Sequence, residues 1–187
     1  KRSIISNNNI FFEEKLRYLE DEIFIWDVLA FVHSAKYVRK QLYSYYVYPN
    51  VNTALSEGLS KGYPVSNFKL AKNHIQNCLK QRGFSDKEIN KIGYQGLIFF
   101  IISALISYSR SIAQEKIDLY KGTMSRRKMI QDILLDPDVS IAIRNYTRSK
   151  DESAWIPRAI AWRFPKLLEF ACNKRAKEIL KMRKKRI

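Results

Sequence analysis

The sequence predicts an α+β chain that is mostly α-helical, and three observations carry that expectation. Aromatic and β-branched residues crowd positions 36–48, apolar residues recur at helical spacing from Pro64 onward, and no comparable strand pattern follows. The 187 residues suffice for one domain with a real core, or for two small lobes sharing one. A hydrophobic share of 46% and an aromatic share of 13% place the chain well away from disorder.

Along the chain, Ser6 to Asn9 reads as a turn before a short apolar segment, Ile10 to Phe12. From about Asp21 to Ala35 the residues Ile23, Phe24, Trp26, Val28, Leu29, Phe31 and Val32 follow an acidic start, which predicts a largely buried helix. Residues 36–40 and 42–48 carry aromatic and β-branched side chains and stop at Pro49-Asn50, so two short strands are expected. The turn-rich run Ser56 to Pro64 contains Gly58 and Gly62. It places the boundary at Glu57 to Tyr63, between an N-terminal part, 1–62, and a helical C-terminal domain, 63–187.

Helical spacing then covers Phe68–Leu79, Ile89–Ile117 and Met124–Leu135. Gly83 stops the first of these, and Ser85 with Glu88 forms a capping box for the next. Asp136-Pro137 ends one helix and starts another. In the last segment Ile160, Phe164, Leu167, Leu168, Ala171, Ala176, Ile179 and Leu180 share a face, with basic residues opposite. Pro165 fixes a break or a new first turn there.

Lys and Arg total 34 against 18 Asp and Glu, a net charge of +16 that favours nucleic acid, an inner membrane leaflet or phosphorylated substrates. The surplus is heaviest at the end, where Lys174, Arg175, Lys177, Lys181, Arg183, Lys184, Lys185 and Arg186 are opposed only by Glu178. The high aromatic content, with Tyr the most frequent, suits base stacking on single-stranded nucleic acid, but no RNP, KH, zinc-finger or helix-turn-helix pattern accompanies it and nucleic acid is not the expected partner. Two cysteines, Cys78 and Cys172, make no disulfide framework, and the start does not read as a signal peptide, so a reducing cytosol is expected. The longest apolar stretch, Gly96 to Tyr108, is shorter than the roughly 18–20 residues a bilayer span needs and reads as a buried helix or an interfacial segment.

His33 and His74 have no paired spacing, so no metal site is expected from this chain. Neither cysteine sits in a CxxC motif, and neither G-x-G-x-x-G nor a Walker A loop is present. The cluster Glu20-Asp21-Glu22 fits two readings. Acidic first turns complement the helix dipole, and neighbouring carboxylates at a helix start can also present a general base.

Residues Lys1 to Ile4, Asn9-Ile10, Phe12-Glu13, Leu16-Arg17-Tyr18, Glu20-Asp21-Glu22 and Phe24, followed by Leu42-Tyr43-Ser44-Tyr45, agree in order and spacing with one known pattern. Over roughly its first third the chain resembles the end of the catalytic domain of family 2 glycosyltransferases, the GT-A type enzymes that build bacterial capsular and exopolysaccharides. The resemblance implies Asp21 as the base that deprotonates the acceptor hydroxyl during an inverting displacement, with Glu20 orienting the acceptor. It implies Arg17, Tyr43, Tyr45 and Tyr48 as substrate-binding residues, although Tyr43 and Tyr45 fit a core role equally well. After the tyrosine segment the family often carries Arg and then Ser or Asn near the donor phosphates, whereas this chain has Tyr48, Val51, Asn52 and Thr53.

By the same resemblance, a nucleotide-binding half with an Asp-x-Asp metal motif would precede Lys1. The chain is then expected to be the C-terminal portion of a longer enzyme and inactive alone. The divalent metal, Mg or Mn, and the nucleotide-sugar belong to the other half, and the acceptor is a sugar or lipid-linked sugar. The helical part resembles, more weakly, the C-terminal extensions of such enzymes, which implies membrane or partner docking. Its residues point the same way: Trp155, Arg158, Trp162, Arg163 and Lys166, with the final basic run, suit an anionic leaflet. The expected location is cytoplasmic, peripheral at the inner face of the plasma membrane. The rival reading is a non-enzymatic basic helical module that binds nucleic acid or an anionic membrane.

Overall fold

The computed structural model describes residues 1–14, 16, 19–42, 65–114, 119–150 and 152–184, with the side chains of 119–125 and 183–184 outside that description. The described helices are α1 (Arg2–Asn7), α2 (Glu20–Phe31), α3 (Val65–Gln81), α4 (Asp86–Ala113), α5 (Leu119–Leu135), α6 (Pro137–Arg144), α7 (Trp155–Ala161) and α8 (Pro165–Lys184). Among the described residues there is no strand, so the expected α+β class is overturned in favour of an all-α fold.

The physical reason lies in residues 36–42. Tyr37 and Val38 have the side chains of a strand, but a strand also needs a neighbour to take its backbone N–H and C=O groups. Here Tyr37 is 87% exposed and the segment runs in irregular backbone. The second expected strand, 42–48, lies outside the described residues beyond Leu42, as does the expected boundary at 57–63. The helix expected at 21–35 ends at Phe31 instead, and it is half-exposed rather than largely buried: Ile23 alone is sealed in the core, and Ile25 is 55% exposed.

The turn chemistry read from the sequence holds. Gly83 adopts a left-handed φ of 77°, and the N–H groups of Gly83 and Phe84 bond back to Lys80 O and Leu79 O, closing the end of α3. Ser85 then caps α4 with Glu88 in a reciprocal box, the Ser85 N–H donating to Glu88 Oε2 at 3.0 Å. That hydrogen bonding, from the Ser85 hydroxyl first and its backbone second, holds the Glu88 carboxyl below its ordinary range. Asp136 caps α6 by accepting from the Asp138 and Val139 amides, with Pro137 supplying the preset first φ. Pro165 likewise opens α8.

Helix α4 is the axis of the fold. At 28 residues it is about 42 Å long, and α3, α5, α6 and α8 pack around it. Leu97, Ile98, Ile101, Ala104, Leu105 and Tyr108 are fully buried along it. By length and composition it could cross a membrane, but 56% of its apolar window is covered by neighbouring helices, as in the core helix of a bundle. Gly93 lets α3 approach closely, because a Cβ there would lie 2.7 Å from Gln76 Cγ. Both cysteines are buried free thiols, and burial pushes the Cys172 thiol up to about 12.

One polar knot crosses this core. Arg126 of α5, almost completely buried, donates to Ser109 Oγ of α4 at 3.2 Å and to Asn173 Oδ1 of α8 at 2.6 Å. Its second terminal nitrogen reaches Glu169 Oε1 at 2.5 Å, so a single guanidinium ties three helices.

Candidate functional site

The carboxylates singled out by the sequence occupy the first turn of α2. Glu20 is half-buried, and Asp21 and Glu22 face solvent. The Glu22 N–H donates to Asp21 Oδ1 at 2.8 Å, which satisfies one of the amides a helix start leaves open and fixes the carboxylate's orientation. Leu19, immediately before the turn, has φ 72° and ψ 12°. A branched side chain in the left-handed region costs about 1–2 kcal/mol, so the surrounding structure imposes this entry to the helix.

What holds that turn is the rest of α2. Ile23 enters the core beside Leu16, and the Phe12 ring stacks on Phe24 with centroids 4.4 Å apart and planes within 6°. Two polar pins fasten α2 to α3. Asp27 Oδ1 meets His74 Nδ1 at 3.0 Å, and Arg82 Nη1 donates to Leu29 O at 2.9 Å and to Val32 O at 2.6 Å. The second pin closes the carbonyl end of α2 with a cation, where the helix dipole favours positive charge. Asp21 therefore sits at one end of a rod whose middle and far end are fixed.

A cleft of about 570 Å³ opens beside this rod, with Asn8, Asn9, Glu13, Asp27, His74 and Gln81 in its walls. Glu20 and Asp21 do not line it. In the sequence His33 and His74 lack metal-ligand spacing, and neither Asp27 nor Arg82 stands in a motif. No local spacing announces the Asp27–His74 or Arg82–Leu29 contacts, whose partners lie 47 and 53 residues apart.

Of the other expected site residues, Arg17, Tyr43, Tyr45 and Tyr48 lie outside the described residues. At the opposite end of the chain, Trp155, Trp162 and Lys166 are exposed. Arg158 lies over the Trp155 ring, 5.6 Å from its centroid. Arg163 is a turn residue: its φ is 52°, its N–H bonds Ile160 O, and its guanidinium donates to Ser140 Oγ at 2.7 Å. These five residues thus divide into exposed aromatics with a lysine, and arginines engaged with the protein itself.

Among the described residues no three His, Cys, Asp or Glu side chains converge as a set of metal ligands. Asp21 has no ion-pair partner among them. What the turn offers chemically is an oriented, solvent-facing carboxylate flanked by two more, able to accept a proton or hydrogen-bond a hydroxyl. Comparison with known proteins gives no matching family model, no matching curated sequence and no matching solved structure.

Proposed function

We propose that the chain is the acceptor-side, C-terminal portion of an inverting nucleotide-sugar-dependent glycosyltransferase of bacterial cell-surface polysaccharide synthesis. The observation that carries this reading is the Asp21 carboxylate, solvent-facing and oriented by the Glu22 amide at the start of an anchored helix. An acceptor hydroxyl is a weak nucleophile. Asp21 takes its proton as the hydroxyl oxygen bonds to the anomeric carbon, and the bond from that carbon to the nucleotide's phosphate oxygen breaks on the opposite face. The nucleotide leaves as the diphosphate. Glu20, next in the chain and half-buried, hydrogen-bonds the acceptor and sets its angle of approach.

Exposed apolar side chains along the same N-terminal stretch support the reading. Phe11, Phe12 and Phe31 line the cleft beside α2, and Ile25, Tyr37 and Leu42 are also exposed, uncovered apolar surface of the kind that takes further polypeptide. Under this reading that polypeptide is the nucleotide-binding half of the enzyme, which also holds the divalent metal. Among the described residues no set of metal ligands converges.

The test is nucleotide release by the gene product that carries this chain, over a panel of nucleotide-sugars and acceptors, with Asp21→Asn and Glu20→Gln variants. Loss of a positioned general base lowers kcat by about 10²–10⁴-fold with KM nearly unchanged. Glu20→Gln raises the acceptor KM more than it lowers kcat. A folded Asp21→Asn enzyme within about threefold of the wild-type kcat contradicts the assignment.

A further inference from the structure

The outer face of α8 carries a stripe that neither the core nor the carboxylate turn uses. At about 100° per residue, Lys166, Phe170, Lys174, Lys177 and Lys181 fall within an arc of about 80°. All five are exposed, Phe170 to 65%. The other side of the helix, through Leu168, Cys172 and Ala176, is sealed in the core.

Both acids of α8 are already neutralised by arginine, Glu169 by Arg126 and Glu178 by Arg175 at 3.2 Å. Among the described residues none of the four stripe lysines has an ion-pair partner. The stripe is therefore uniformly cationic. Its aromatic neighbours are also uncovered: Trp162, 61% exposed, and Phe164 in the turn that leads into α8. Trp155 shares a groove of about 500 Å³ with Phe170 and Lys174.

We propose that this face, Lys166, Phe170, Lys174, Lys177 and Lys181, docks on an anionic lipid bilayer. A row of lysines complements a diffuse negative surface, and the exposed Phe170 ring within it enters the boundary between headgroups and acyl chains. All four cations are lysine point charges, which suit a diffuse field of negative charge, whereas paired hydrogen bonding to one phosphate or one base edge favours the planar guanidinium fork. The charge and ring pattern thus favours a lipid surface over nucleic acid. The proposal stands independently of the transferase reading, since it uses no residue of α2.

The experiment is cosedimentation of the 187-residue chain with neutral phosphatidylcholine vesicles and with vesicles containing phosphatidylglycerol. Binding is expected to the anionic vesicles only, and to weaken as salt rises. Each lysine removed costs about fivefold in affinity, so the quadruple variant with Lys166, Lys174, Lys177 and Lys181 changed to Gln weakens on the order of several hundred-fold. That variant keeps the basic residues after Met182, so wild-type binding by it would assign the effect to the tail and overturn the proposal. Phe170→Ser, a single change at an exposed position, keeps the test open should the quadruple variant not fold. It reduces binding that survives at high salt. Equal binding to neutral vesicles, or lysine-dependent binding to an oligonucleotide with none to anionic vesicles, would also overturn it.

Discussion

Replacing Arg126 by methionine fills the same space without the charge, so its cost isolates the polar knot at the centre of the fold. The substitution removes hydrogen bonds to Ser109, Asn173 and Glu169 and leaves Glu169, 21% exposed, with only Arg127 Nε at 3.7 Å. Stripping one partner from a buried ion pair costs about 3–5 kcal/mol. Two features pull the figure to the lower end. Glu169 reaches solvent at its edge, and the Arg126 Nε–H is buried without an acceptor, a defect that methionine removes. The expected loss is about 3 kcal/mol, which at a urea slope of about 2 kcal/mol/M lowers the midpoint by about 1.5 M. Urea unfolding followed by circular dichroism reads it. Because the second loss in Arg126→Met with Glu169→Leu no longer strands a charge, the double variant is expected to be at least about 1 kcal/mol more stable than the sum of the two single effects. A single-variant loss under about 1 kcal/mol, or strict additivity, would refute the argument that Arg126 ties α4, α5 and α8 together.

Two further outcomes follow from the caps and pairs. The hydrogen bond to Asp138 chiefly, and then Asp136, raises the Lys69 ammonium above its ordinary 10.5 against the opposing effect of burial. A raised folded value means the contribution is whole below 10.5 and lost as pH climbs through the folded value. The stability gap between wild type and Lys69→Gln is therefore full at about pH 9 and closes in more alkaline solution; a constant or widening gap would contradict it. Gly83→Ala meets no atom within 4 Å, so its cost is the left-handed backbone alone. That is about 1 kcal/mol, or a melting temperature lower by about 2–4 °C, and an unchanged melt would show that α3 does not need this turn.

The parts of this fold that were legible in the sequence are those decided within a few residues. Gly83, the Ser85–Glu88 box, Asp136-Pro137 and Pro165 each act on backbone groups next to them, and each sits where its chemistry placed it. The carboxylate row at the start of α2 was legible for the same reason. The strand at 36–40 failed because strand formation depends on a partner that residue types do not reveal. The half-exposed state of α2 was hidden because an apolar helix covered by other polypeptide and one left uncovered have the same composition. Arg126 lies in a basic stretch that reads as solvated surface, and its partners on α8 are 43 and 47 residues away. The basic outer face of α8 was legible, since Leu168, Ala171 and Ala176 are sealed in the core as their spacing predicts. Phe164, expected on that apolar face, instead precedes the helix in a turn and is 51% exposed.

The proposed single displacement, assisted by one carboxylate base, is tested most directly by the anomeric configuration of the product. Proton NMR of the glycoside formed by the gene product that carries this chain reads that configuration from the anomeric coupling. A configuration opposite to that of the nucleotide-sugar donor is expected, with product formation collapsing in Asp21→Asn. Retained configuration would contradict it, as would turnover in Asp21→Asn at the wild-type rate.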